Sequence, residues 1–138
     1  MIQEFSAGGV VVRRMRGRRY VAVVRVRDEI LALPKGHPDG AESAAEAARR
    51  EVREETGLEA DLVEQLGEVK YSYVRGGTRV RKIVRFFLFR YRSGDVEDHD
   101  HEVEEALWIP LEEAPERLAY KGEREMALAA LSRAEEGR

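Results

Sequence analysis

The segment Ser43–Gly57, SAAEAARREVREETG, specifies a helix at both of its ends. Ser43 and Glu46 stand three apart, the spacing of a capping box, and Gly57 is a natural residue for leaving a helix in the left-handed conformation. Between them Ala45, Ala48 and Val52 form a narrow apolar stripe of small side chains. So thin a stripe means that the helix packs close against a sheet.

The strands for that sheet lie on both sides of the helix. Glu4–Arg14 and Arg18–Arg27 are β-branched runs split by Met-Arg-Gly, the pattern of a hairpin. Glu29–Pro34 reads as a short strand stopped by its proline, and Lys35–Glu42 as a loop rich in Gly and Pro. Residues 62–74 and 79–92 read as two long strands joined around Gly76-Gly77. An acidic loop over 93–105, a final short strand over 106–110 and one or two closing helices over 111–134 complete the chain. With no repeat and no linker, residues 1–138 are expected to form one mixed α/β domain.

Composition excludes several function classes. No apolar stretch approaches the length of a membrane span, and the N-terminal residues lack the pattern of a signal peptide. The absence of cysteine removes thiol catalysis, thiolate metal sites and disulfides, and fits a cytoplasmic location. The net charge is −3 although 37% of residues are charged, and no long basic run stands free of acids. That balance gives a nucleic-acid polymer no compositional support as a partner.

Glu51, Glu54 and Glu55 are three and one apart, so they share one sector of the helix and repel one another. Carboxylates so placed are hard oxygen ligands for Mg²⁺ or Mn²⁺, ions that keep waters and bind substrate phosphates. They can also keep a neighbour basic enough to deprotonate water. A solvated helix laced with salt bridges is the alternative. Against it, Arg50 precedes Glu54 in the weaker orientation, and no Lys or Arg follows any of the three at i+4.

The wider spacing carries a resemblance. Gly36, five residues, Glu42, seven residues and then Arg50-Glu51-Val52-Arg53-Glu54-Glu55-Thr56-Gly57-Leu58 match every position of the Nudix box, here residues 36–58. The chain therefore resembles the Nudix hydrolases, which cleave a nucleoside diphosphate linked to another moiety. The resemblance implies an α/β/α sandwich with a mixed central β-sheet, the box helix on one face and the C-terminal helix on the other. It implies divalent metal, Mg²⁺ or also Mn²⁺, on Glu51, Glu54 and Glu55, with Gly36 letting the loop backbone approach closely. Arg50 would orient those carboxylates, while Glu42 and Gly57 brace the loop and end the helix. Glu54 is the choice for general base within the box. Glu102, six residues before Trp108, is most like the extra loop glutamate of relatives, and Glu104 and Glu105 compete with it.

Leu33-Pro34-Lys35-Gly36-His37 resembles Nudix enzymes acting on diadenosine and diphosphoinositol polyphosphates, which places Lys35 and His37 near the phosphates. Tyr120 matches an aromatic residue that sandwiches adenine in diadenosine tetraphosphate hydrolases, with Tyr71, Tyr73 or Phe87 as the opposite ring. Arg85 shares a strand face with Arg79 and Arg81, a row suited to a multi-anionic substrate or simply to water. A His99-x-His101 pair could meet zinc but has no further nearby ligand. The expected activity is metal-dependent hydrolysis of a dinucleoside polyphosphate. ADP-ribose or a damaged nucleoside triphosphate are the alternative substrates, and a ligand-sensing module without turnover is the non-enzymatic alternative. The expected partner is a small-molecule nucleotide, with no membrane, in a monomer or homodimer.

Overall fold

The computed structural model describes residues 1–137, and its centre is a mixed sheet. The longest uninterrupted ladder joins β1 (Ile2–Met15) to β6 (Thr78–Gly94) in parallel, from Ile2 opposite Val80 to Val12 opposite Arg90. All other pairings are antiparallel. β2 (Arg18–Arg25) follows β1 through the expected hairpin, and β5 (Leu58–Arg75) pairs with β6 at the sheet's outer edge. The two-residue strands β3 (Leu31–Ala32) and β4 (Lys35–Gly36) flank β2 and β1, and β7 (Glu105–Pro110) lies along β2. Lys35 and Gly36 thus belong to a short strand, where sequence alone suggested loop: they pair with Gly8 and Ala7 of β1.

Side-chain alternation splits the sheet's two faces into two cores. Val10, Val84, Phe86 and Leu88 face α3 (Lys121–Glu135), whereas Val11, Phe87 and Phe89 face α1 (Ala44–Thr56). Because both faces are covered, Phe86–Phe89 is a continuous buried run instead of an alternating one. A short helix, α2 (Ala114–Arg117), precedes α3, so the chain closes with two helices. The result is the α/β/α sandwich that the sequence led us to expect. No helix among the described residues is long and apolar enough to cross a membrane.

Helix α1 carries both expected caps. Ser43 Oγ accepts from Glu46 N, Glu46 Oε1 accepts in turn from Ser43 N, and Gly57 leaves at φ 76°. Its buried stripe is Ala47, Ala48, Val52 and Thr56; Ala45, expected in that stripe, is only partly buried. Close packing is enforced from the sheet side by Gly9, where an added Cβ would stand 2.6 Å from Val52 Cγ2. Ladder β5–β6 contains register shifts at Glu59/Ala60, Leu62/Glu64 and Gln65/Gly67, and β5 starts at Leu58, four residues earlier than its hydrophobic pattern suggests.

Candidate active site

Arg50 is the organiser of the box. Its Nε and Nη2 donate to the two Glu42 carboxylate oxygens at 2.8 and 3.0 Å, and Nη2 also donates to the His37 carbonyl at 2.9 Å. Nη1 donates to Glu51 at 3.2 Å and to Glu54 at 2.9 Å. One planar fork therefore ties the loop before the helix to two carboxylates on the helix, a task the point charge of lysine could not perform. The pair also holds the Arg50 guanidinium still more firmly protonated than usual, chiefly through the hydrogen bond to Glu42, and holds Glu42 below the usual carboxylate range.

Gly36 lies directly against this group. A Cβ on Gly36 would fall 2.1 Å from a Glu51 carboxylate oxygen, so only glycine allows β4 and α1 to approach this closely. Burial pushes Glu51 up from its ordinary value, with Glu54 and Glu102 adding repulsion and Arg50 opposing it. Glu55 is pushed up to about 8 by burial, then by the Glu51 charge and by Asp100, while Lys35 pulls the other way through its charge and backbone N–H. Glu54 is the exposed member of the trio, with 43% of its side chain accessible. Among the described residues no three His, Asp or Glu side chains converge in an arrangement that could hold an ion, because Glu51 and Glu54 are turned onto Arg50. The donors nonetheless fit a hard divalent cation. They are all carboxylates, two of them are partly buried and disfavoured as anions, and Gly36 clears their approach.

The acidic loop reaches the same region. Asp100 N donates to the Glu54 carbonyl at 2.9 Å, and Asp100 Oδ1 accepts from Glu102 N at 3.1 Å. Glu102 is exposed and close enough to raise Glu51 electrostatically, whereas Glu105 is paired with Arg25 at 3.0 Å. Of the loop glutamates, Glu102 is thus the one that the structure brings electrostatically to the box.

Beside the box, a cleft of about 580 Å³ opens between the sheet and the first turn of α3. Lys35, Tyr71, Tyr120 and Glu123 are among its lining residues, and both tyrosines are 47% exposed. Tyr120 immediately precedes α3, and Lys35 Nζ stands 5.5 Å from its ring centroid. Lys35 is the link between cleft and box, since it also influences Glu55.

Four residues considered for the substrate, His37, Tyr73, Arg85 and Phe87, do not line this cleft. His37 uses Nδ1–H to donate to the Phe5 carbonyl at 3.0 Å, which pins the loop to β1. The Tyr73 hydroxyl donates to Glu4 at 2.8 Å. Arg85 pairs with Glu68 across the β5–β6 ladder at 2.8 Å and lies over the Phe5 ring. Phe87 is buried in the core beneath α1. Two residues that sequence reasoning passed over lie close by. Buried Glu123 grips the Leu33–Lys35 segment, and Lys82, depressed by burial against the pull of Glu4, feels the charge of Lys35. Neither belongs to a local motif, and Glu123 reaches Lys35 across 88 positions of sequence.

This arrangement of a glycine-entered, arginine-braced acidic helix on a mixed sheet defines a class. The chain belongs to the Nudix hydrolase family, as the NUDIX domain model matches residues 4–129. Among its relatives, MutT4 of Mycobacterium tuberculosis (strain CDC 1551 / Oshkosh) is 40% identical over 133 residues, covering 91% of this chain and 54% of that protein. An 8-oxo-(d)GTP phosphatase of Mycolicibacterium smegmatis (strain ATCC 700084 / mc(2)155) is 36% identical over 107 residues, covering 77% of this chain and 32% of that protein. The chain thus spans about half the length of the first relative and about a third of the second. The fold is shared with the Ap4A hydrolase of C. elegans, solved as a binary complex, at a TM-score of 0.72 and 21% identity over 98% of this chain and 99% of that one.

Proposed function

We propose that this chain is a divalent-metal-dependent pyrophosphohydrolase that opens a nucleoside diphosphate linkage. The observation that carries this reading is the pair of partly buried carboxylates, Glu51 and Glu55, driven up by burial and by repulsion from neighbouring carboxylates beside the Gly36 approach. Such frustration of charge is costly for a merely structural helix and is relieved by a cation. Glu51, Glu54 and Glu55 would hold Mg²⁺, with Mn²⁺ able to replace it. The chemistry such an ion supplies is neutralisation of the diphosphate charge and a lowered pKa for water.

The protein's own groups do the rest. Arg50 fixes Glu51 and Glu54 relative to the loop, and the exposed Glu54 carboxylate accepts the proton of the attacking water, with Glu102 the second candidate for that role. In the cleft, Tyr120 and Tyr71 offer flat, half-exposed faces on which a base can stack, worth about 1–3 kcal/mol. Lys35, which lines the cleft, offers positive charge to the phosphates. Lys35 and Tyr120 are the direct substrate contacts of this reading, and His37 anchors the loop through the Phe5 carbonyl.

A dinucleoside polyphosphate such as diadenosine tetraphosphate is the first substrate we propose, on the strength of the Leu33–His37 segment and Tyr120 beside an open cleft. A nucleoside triphosphate, including an oxidised one, is the second reading, favoured by the 36%-identical 8-oxo-(d)GTP phosphatase. Product analysis of the purified chain with Mg²⁺ tests both, offering diadenosine polyphosphates, ADP-ribose, dGTP and 8-oxo-dGTP in parallel with an EDTA control. EDTA-sensitive release of ATP or ADP from the dinucleotides supports the first reading. Preference for 8-oxo-dGTP replaces it with the second. Turnover that persists in EDTA, or none on any compound, overturns the metal-dependent assignment.

A further inference from the structure

Glu123 is a buried acid, 4% exposed, on the first turn of α3. Its position is set by Gly122, where a Cβ would meet Val69 at 2.2 Å, so the turn sits flush on β5. Both carboxylate oxygens are used. Oε1 accepts from Leu33 N at 2.7 Å and Oε2 accepts from Lys35 Nζ at 2.7 Å.

Lys35 stands between two carboxylates from opposite layers of the sandwich. Glu123 on α3 holds its ammonium, and Glu55 on α1 is the other acid close enough to feel its charge. A lysine ammonium is a point charge on a flexible stem, free to choose its partner. Released from Glu123, it would turn to Glu55 and occupy the oxygens that a divalent ion requires.

We propose that Glu123 is a positioning residue that holds Lys35 off Glu55 and so keeps the Glu55 carboxylate available to the cation. The inference rests on the reading of Glu55 as a metal ligand. It gives α3, which contributes no group to the box, control over the metal affinity of α1 through a single shared lysine.

The test is Mn²⁺ binding to the full chain without substrate, followed by the electron paramagnetic resonance signal of free Mn²⁺. Four variants are compared with the parent: Glu123→Gln, Lys35→Met, their combination, and Glu55→Gln. Glutamine keeps the acceptor for Leu33 N and removes only the charge. Glu123→Gln is expected to weaken Mn²⁺ binding about tenfold or more, the scale of one adjacent competing charge. Adding Lys35→Met restores the parent affinity, a rescue that a purely structural role would not produce.

Equal weakness of the single and double variants overturns the proposal, because Glu123 would then act without Lys35. Unchanged binding in Glu123→Gln alongside weakened binding in Glu55→Gln overturns it while leaving Glu55 a ligand. Unchanged binding in Glu55→Gln overturns the ligand reading itself. Should Glu123→Gln fail to fold, Glu123→Asp keeps the charge but retracts it by one methylene. Reduced Mn²⁺ affinity restored by Lys35→Met then supports the proposal, and unreduced affinity overturns it.

Discussion

Glu55→Gln turns the electrostatics of the box into a stability measurement. In the metal-free protein the Glu55 carboxyl is pushed up to about 8 from 4.5, first by burial and then by Glu51. Between those two values the folded protein keeps a proton that the unfolded chain has released, so stability falls as pH rises and the loss is complete above pH 8. The full gap corresponds to about 5 kcal/mol, and to about 3 kcal/mol at pH 7, before local rearrangement reduces it. A realistic penalty is about 2–4 kcal/mol at pH 8.5, which for a chain of this length moves Tm by about 6–12 °C. Glutamine has no charge to bury and still accepts from the Lys35 backbone. In EDTA, Glu55→Gln should therefore match the parent near pH 5 and exceed its stability at pH 8.5, as read by denaturant titration at both pH values. Mg²⁺ added at pH 8.5 should stabilise the parent and leave the variant unmoved. Parallel behaviour of the two proteins at both pH values would refute the claim that this carboxylate is disfavoured as an anion.

Gly36→Ala drives a methyl into the Glu51 carboxylate, and we expect kcat/KM to fall at least about a hundredfold while far-UV circular dichroism stays unchanged, since β4 is only two residues long. Arg50→Lys keeps the charge but loses the fork that spans Glu42, Glu51 and Glu54, so kcat should drop with little change in KM for the nucleotide; an effect on KM alone would contradict the orienting role. Tyr120→Ala removes one stacking face and should raise KM about 5- to 150-fold with kcat preserved, whereas Tyr120→Phe should behave as the parent.

What could be read from sequence divides by distance along the chain. The metal-binding candidates and both caps of α1 lie within one helix and its approach loop, where spacing alone determines which side chains share a face. The mixed α/β class followed from helix and strand periods and the layering of the sandwich from the family resemblance; the parallel β1–β6 ladder followed from neither, because residues 2–12 and 80–90 carry no mark of their register. Face assignment by counting in twos held for Arg85 on β6, but its partner Glu68 sits on a strand whose three register shifts defeat such counting. Ala45 and Ala47 are equally small, and only the sheet's contour decides which one is buried. Lys35 read as a loop residue and lies instead in the short strand β4, and His37 follows it. Their actual partners, the Phe5 carbonyl and Glu123, are tertiary contacts that a local pattern does not encode.

Gly9 has no chemistry to offer, yet it sets the height of α1 above the sheet, with Val52 seated where a side chain would otherwise stand. Val52 follows Glu51 directly and precedes Glu54 by two residues, so any lift at Gly9 is transmitted to the carboxylates through a rigid helix. In a mutational scan, position 9 should therefore score with the acidic residues, although it touches neither substrate nor cation. The placement of the acidic trio is set together with the thinness of the strand beneath it.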